Sequence, residues 1–241
     1  MSSLDIQPLP AGQQMLLQRL MANHVMSNDK AKLAVSSLLE EVGEDAMGST
    51  ENLSQIFSSI NQQLNPAFGL EIVTMVDKSG EKAVKYHAVV NTQCDDVAKQ
   101  YSFEKAFSAH ERAFIRLLMQ RMVEEGSMKR KDCINLRSTL NKGFKLSLDD
   151  AERMVQVLLD EEWLRVSARQ EDSDDDEEEE EDGENDGTSQ SSRKRQKKKL
   201  RRESVQIKLE LAPRSFMELS HYLSDLGLEE EDMPQFLFHR H

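Results

Sequence analysis

The strongest chemical signal in this 241-residue sequence is a pair of oppositely charged tracts. Residues 171–186 contain 13 acidic residues and no basic one, and residues 193–202 contain 8 basic residues and no acidic one. So dense a basic cluster predicts a nuclear import signal, with non-specific nucleic-acid contact as the alternative. The basic residues are Arg193, Lys194, Arg195, Lys197, Lys198, Lys199, Arg201 and Arg202.

Two smaller sets of residues could also contact or carry phosphate. Lys129, Arg130 and Lys131 form a second basic group, for which a solvated surface is the simpler interpretation and a minor phosphate contact the alternative. Ser173 precedes an acidic run and Ser204 follows two arginines and a glutamate, so both resemble kinase sites. A phosphate on Ser204 would lower the positive charge beside it.

Residues that would support catalysis or metal binding are few. The two cysteines, Cys94 and Cys133, stand 39 positions apart and are expected to be isolated thiols. No glycine-rich phosphate loop and no histidine paired with a nucleophile is recognisable in the sequence. We therefore expect no catalytic residue, no metal site and no cofactor in this chain.

The composition predicts a soluble intracellular protein with one disordered segment. Two cysteines cannot build a disulfide framework, and the net charge is -13. No apolar run approaches the roughly 20 residues that a membrane span needs. The N-terminus also lacks the basic start and apolar stretch of a signal peptide.

The elements that would position these charges form two similar halves. In the first half, a third helix carries one apolar face with Leu53, Ile56, Phe57, Ile60 and Leu64, and the Asn65-Pro66 pair is expected to end it. Residues 70–76 and 83–90 are rich in β-branched residues and flank a turn at 77–80, which predicts a hairpin. Three helices followed by a hairpin predict a winged-helix domain over residues 1–92.

The second half repeats this order after a linker at 93–107. Ser108 and Glu111 form a capping box, Ser147 opens a third helix, and Trp163 is expected to pack at the base of a first wing strand. The second wing strand follows only at 205–211, so residues 169–203 are predicted to be a disordered acidic and basic insertion in the wing. Residues 108–168 and 204–226 then form the second winged-helix domain, with a terminal helix over 216–223.

The predicted fold class is mainly α with small β-hairpins (α+β), arranged as tandem winged helices. Winged helices that bind DNA use basic residues of the third helix at phosphates. The third helix of the first half has no lysine or arginine, and that of the second half has six acidic residues against Arg153. We therefore expect protein-docking modules rather than DNA readers.

Five stretches of the sequence carry a resemblance to a known family: 86–91, 103–107, 114–125, 161–164 and 216–223. In their order and spacing they resemble the non-SMC element one family, a nuclear subunit of the SMC five-six complex. The resemblance implies two winged helices followed by a RING-like zinc finger with E3 ubiquitin ligase activity. It also implies docking to a MAGE-type subunit beside a kleisin, and a role in DNA repair and recombination.

The chain departs from that pattern at its end. A RING-like finger needs about eight Cys and His ligands, since each zinc takes four, and it should begin in the tail at 227–241. Without those ligands we expect a truncated product that is not catalytic alone. Two alternatives remain open: a winged-helix subunit of a transcription or polymerase complex, and a histone-binding protein that uses the acidic tract.

Overall fold

The computed structural model describes residues 8–43, 47–48, 52–92, 107–167 and 207–238. These residues belong to two compact units. The first unit comprises Met1–Ser108 and Ala212–His241, and the second comprises Ala109–Leu211. The predicted insertion at 169–203 and most of the predicted linker at 93–107 lie outside the described residues.

The first unit begins with three helices and a short strand. They are α1 (Ala11–Asn23), β1 (Val25–Ser27), α2 (Asn28–Val42) and α3 (Leu53–Phe68). The Ser27 hydroxyl accepts a hydrogen bond from the Lys30 amide and starts α2, and the Asn52 side chain does the same for Gln55 in α3. The sequence itself therefore supplies partners for amides that the first turn of each helix leaves unpaired.

The end of α3 differs from the sequence prediction. The helix continues through Pro66 to Phe68 and stops at Gly69, which has a left-handed φ of 64°. A proline in the last turn removes only its own N–H, whereas Gly69 adopts the positive φ at little cost and its amide donates to the Asn65 carbonyl at 2.8 Å. The glycine, not the proline, ends the helix.

The predicted hairpin of the first unit is confirmed. Strands β2 (Leu70–Asp77) and β3 (Val84–Asn91) are antiparallel, with Val73 opposite Ala88. The Ser79 amide donates to the Asp77 carboxylate at 3.0 Å and holds the turn between them. Two strands that the sequence did not predict complete the sheet: β1 beside β3, and a C-terminal strand, β7 (Gln235–Phe238), beside β2.

The C-terminal segment corrects the predicted domain boundary. The sequence predicts that residues 204–226 belong to the second domain, but from Ala212 onward the chain packs in the first unit. Helix α7 (Pro213–Glu218) packs on β3 and β2 and is followed by α8 (Ser220–Asp225). The reason is that β2 has two apolar faces: Ile72 lies in the helical core, while Val73 and Met75 pack with Met217 of α7. The predicted tail at 227–241 contains β7, which extends the same sheet.

The second unit repeats the order of the first. It contains α4 (Ala109–Glu125), β4 (Ser127–Lys129), α5 (Arg130–Asn135), α6 (Leu148–Asp160), β5 (Leu164–Val166) and β6 (Lys208–Leu211), with a 3₁₀ turn at Leu136–Thr139. Its sheet has the order β4-β6-β5, which matches β1-β3-β2 in the first unit. Gly126, with φ of 71°, ends α4.

Strands β5 and β6 of the second unit pair with each other, as the sequence predicts. Leu164 lies opposite Leu211 and Val166 opposite Leu209, although the strands are separated by about forty residues of sequence. Trp163 is buried next to β5, as predicted, and its amide donates to the Leu158 carbonyl. The coarse fold is thus a mixed α and β structure with small antiparallel sheets.

Candidate interaction surfaces

The third helix of the second unit, α6, presents carboxylates to solvent. Asp149, Glu152 and Asp160 are exposed, whereas the opposite face is buried in the core of the unit. The only cation of this helix is Arg153, and its guanidinium lies 2.6 Å from the Glu111 carboxylate of α4. That hydrogen bond raises the pKa of Arg153. The charge is therefore already paired, and the face repels phosphate.

The third helix of the first unit, α3, is uncharged throughout. Its exposed side chains include Ser54, Gln55, Gln62 and Asn65. Such a face neither attracts nor strongly repels a phosphate backbone. Polar, uncharged side chains of this kind suit an interface with a protein better than one with a nucleic acid, whose binding depends on positive charge.

An exposed apolar pair lies at the start of α6. Phe144 and Leu148 keep 38% and 45% of their surface exposed. The Phe144 ring meets the His110 ring of α4 edge to face, with centroids 5.7 Å apart. The Lys145 amide donates to Nδ1 of His110 at 3.2 Å, so the loop before α6 is anchored to α4. Aromatic side chains held in this way are common anchors of protein interfaces.

The predicted minor phosphate contact lies at β4 and the start of α5. Lys129 is exposed at the end of β4, and Lys131 is exposed at the second position of α5. Between them, the Arg130 amide donates to the Ile207 carbonyl at 2.8 Å, and its Nη2 donates to Gln156 at 3.2 Å. The structure thus brings these three residues together with the start of β6.

Sequence analysis missed Lys208 as a member of this group. Lys208 is the cross-strand partner of Lys129 in the β4–β6 ladder. The alternation of apolar and polar residues in 205–211 placed Lys208 on the polar side of its strand, but it could not indicate the register with β4. The pairing joins residues from distant parts of the chain.

A second missed cluster ties the C-terminal segment to α1. Arg214 in α7 is buried; its Nε donates to the Glu218 carboxylate at 3.0 Å, and its Nη2 donates to Nδ1 of His24 at 3.2 Å. His24 ends α1 with a φ of 55°. A buried arginine needs such partners because an unpaired charge is costly in the interior. The cluster is structural rather than catalytic.

The described residues do not fit a zinc site. No group of three or more His, Cys, Asp and Glu side chains with ligand geometry occurs among them. Cys133 is fully buried, and burial raises its thiol pKa to about 12. A metal ligand would need the thiolate, which this environment disfavours. Cys94 lies outside the described residues.

The basic tract at 193–202 also lies outside the described residues, as do Ser173 and Ser204. Their predicted roles stay predictions. Among the residues that the structure does describe, no helix is long and apolar enough to cross a membrane.

Comparison with known proteins places these units in context. A chain of a solved structure titled "Nse1-Nse3-Nse4 complex" has a similar fold, with a TM-score of 0.60 at 19% identity over 91% of this chain and 75% of that chain. No curated protein matches the sequence. The family model described as "Nse1 non-SMC component of SMC5-6 complex" matches residues 13–219. Because that match covers most of both units, the chain belongs to the Nse1 family of non-SMC components of the SMC5-6 complex.

Proposed function

We propose that this chain is a scaffold subunit of the SMC5-6 complex that acts in the nucleus in DNA repair and recombination. Family membership over residues 13–219 supports this role. The neighbouring structure is titled as a complex of Nse1 with Nse3 and Nse4. By the resemblance drawn from the sequence, these correspond to a MAGE-type subunit and a kleisin, which we propose as the partners of this chain.

The two units are proposed to be tandem winged helices. Each has the order helix, strand, helix, helix, strand, strand, and each places its first strand beside its third. This repeated topology is the order expected of a winged helix. The second wing would carry residues 169–203 as its insertion, since β5 and β6 flank that segment and pair with each other.

The observation that carries the docking role is the charge of the third helices. The exposed charged side chains of α6 are acidic except for Arg153, which is paired with Glu111, and α3 has no charged residue. Neither helix suits phosphate contacts. The exposed Phe144 and Leu148 stand beside the acidic face of α6 and would provide the apolar centre of an interface with a polar rim.

The experiment is reconstitution with the MAGE-type subunit and the kleisin. Full-length chain carrying both Phe144→Asp and Leu148→Asp should bind the MAGE-type subunit at least tenfold more weakly, since each change places a charge in an apolar contact. The matched control is Leu33→Asp in α2 of the first unit, which is 71% exposed and should leave binding unchanged.

Two results would contradict the proposal. Wild-type chain that fails to assemble with the two partners would exclude the scaffold role. Equal affinity of the double variant and the control for the MAGE-type subunit would show that the interface does not include Phe144 and Leu148. Copurification with polymerase subunits instead would favour the transcription alternative.

Ubiquitin ligase activity belongs to the family resemblance and not to the described residues. A ligase role would require zinc ligands that these residues do not provide. We therefore propose that the described units contribute docking, and we assign no catalytic step to them.

A further inference from the structure

Strand β5 lies at an edge of the second sheet. The order of that sheet is β4-β6-β5, so among the described strands β5 has a neighbour on one side only. An edge strand presents amide and carbonyl groups that can form hydrogen bonds with a strand of another chain. The outer side of β5 is therefore a surface on which a further strand can be added.

The direction of the backbone groups of β5 follows from one hydrogen bond. The Ser167 amide donates to the Lys208 carbonyl at 2.9 Å, which makes these residues a hydrogen-bonded pair of the antiparallel ladder. Such pairs alternate along the ladder, because successive residues direct their backbone groups to opposite sides of a strand. Leu164 and Val166 therefore direct their amides and carbonyls away from β6. Within the part of the chain that the structure describes, neither residue makes a hydrogen bond outside the ladder.

The first unit shows what an edge of this kind accepts. Strand β2 has the position there that β5 has in the second unit, since the orders β1-β3-β2 and β4-β6-β5 match. The outer side of β2 is covered by β7, an antiparallel segment from a distant part of the chain, with Leu237 opposite Thr74. A short apolar segment thus extends the first sheet, whereas no described strand extends the second sheet beyond β5.

The side chain of Val166 is also incompletely covered. Val166 lies opposite Leu209, which is fully buried, so both side chains are on the core face of the sheet. Val166 nevertheless keeps 52% of its surface exposed. A strand added beside β5 would place a side chain next to Val166 and remove part of that surface from water. The edge therefore favours a segment with an apolar residue at this position.

The residues before β5 indicate the charge of such a segment. Asp160 and Glu162 are exposed at the end of α6, and the last turn of this helix has no basic residue. In antiparallel addition, the C-terminal end of the incoming strand lies beside the start of β5, because the two strands run in opposite directions. Residues that follow the incoming strand therefore meet these carboxylates, which attract lysine or arginine and repel acidic residues.

We propose that β5 binds an extended segment of another protein as an additional antiparallel strand of the second sheet. This segment has apolar residues at alternate positions and is followed by lysine or arginine. Its main chain pairs with Leu164 and Val166, and its basic residues contact Asp160 and Glu162. The surface does not include the docking pair at the start of α6, so the inference goes beyond the proposed function and does not depend on it.

The test is binding of a fluorescent peptide to the full-length chain, measured by anisotropy. The peptide has the residues of β7 followed by lysines, Gln-Phe-Leu-Phe-Lys-Lys-Lys, and the comparison peptide ends in glutamates instead. Amide hydrogen exchange is measured in parallel. The Val166 amide points away from β6 and the Arg165 amide points toward it. Strand addition should therefore slow exchange about tenfold or more at Val166 and leave Arg165 nearly unchanged.

Val166→Pro tests the pairing of the main chain. Proline is tolerated at an edge where its missing N–H would face solvent, so the unit should still fold. The variant should bind the lysine peptide about tenfold more weakly, because it cannot donate the outward hydrogen bond. The matched control is Val166→Ile, which keeps both the amide and an apolar branched side chain and should bind as tightly as the wild type.

Glu162→Gly tests the charge and does not depend on the proline variant. Glu162 has a left-handed φ of 59°, which glycine adopts more readily, so the unfolding temperature should be no lower than that of the wild type. Loss of this carboxylate should weaken binding of the lysine peptide about threefold and reduce its advantage over the glutamate peptide. The control Glu125→Gln removes the same charge just before β4, at the opposite edge of the sheet, and should leave binding unchanged.

Two results would overturn the proposal. If the lysine peptide does not slow exchange at Val166, or if Val166→Pro binds it as tightly as Val166→Ile does, the edge of β5 does not accept a strand. If the chain alone forms a dimer in which the Val166 amide is already protected, the edge is occupied by a second copy of this chain rather than by another protein.

Discussion

Replacing Met217 with alanine tests the attachment of the C-terminal segment to the first unit. Met217 lies in α7 and is 4% exposed. It packs with Val25, Val73 and Met75 on the face of the first sheet that the N-terminal helices do not cover. The alanine variant removes the distal part of this side chain and leaves a cavity between helix and sheet.

The expected loss of stability follows from this burial. Truncation of a buried methionine to alanine costs about 2–5 kcal/mol, with the larger values at sites that cannot collapse. Here α7 is only six residues long, so a small shift of this helix toward the sheet can fill part of the cavity. We therefore expect a value near the lower end, about 2–3 kcal/mol. Met21→Ala in α1 is the control: Met21 is 52% exposed, and its loss should cost less than about 0.5 kcal/mol.

The assay uses the single tryptophan as a reporter of the other unit. Trp163 is buried in the second unit, so its fluorescence follows unfolding there, whereas hydrogen exchange at β2 and β3 amides follows the first unit. Met217→Ala should speed exchange in β2 and β3 by a factor that matches its free-energy loss. If the variant shifted only the unfolding transition seen by Trp163 fluorescence, and hydrogen exchange in β2 and β3 were unchanged, the packing of α7 on the first sheet would be refuted. The domain boundary predicted from the sequence would then be correct.

Two further predictions concern buried polar groups. The Asn61 carboxamide accepts from the Ile72 amide at 2.7 Å and donates to the Ile72 carbonyl at 2.9 Å. Asn61→Ala should therefore lower the free energy of unfolding, measured with denaturant, by about 2–4 kcal/mol. The control Asn65→Ala, at an exposed position, should lower it little. Cys133 has a folded pKa of about 12, so between pH 9 and that value the unfolded thiol loses its proton while the folded one keeps it. Stability should fall with rising pH in this window, more steeply in the wild type than in Cys133→Val, and equal slopes would count against the buried thiol.

Local patterns in the sequence were sufficient for the helices and the long hairpin. The stripe from Leu53 to Leu64 and the β-branched runs on either side of Asp77 each contain enough residues to show a period. Strands β1 and β4 are three residues long, which is too short for any period to appear. They form because β3 and β6 offer free edges, and that opportunity exists only once the hairpins have folded.

The location of the terminal helix could not be predicted for a different reason. The sequence shows that this helix has an apolar face, but an apolar face alone does not indicate which other surface of the protein it packs against. The sign was in β2, where Ile72, Val73, Thr74 and Met75 are all buried. A strand with one face open to solvent would alternate between apolar and polar residues, whereas this run is typical of a strand covered on both faces. Together with the apolar face of α7, this buried run in β2 would have indicated that a later segment of the chain packs on the first sheet.

The same limit explains the sheet face of the second unit. Lys129 and Lys208 each look like ordinary surface residues in sequence, and only the register of β4 against β6 makes them neighbours. The register of two strands therefore decides which surface residues lie side by side, and no pattern within either segment of the sequence contains that information.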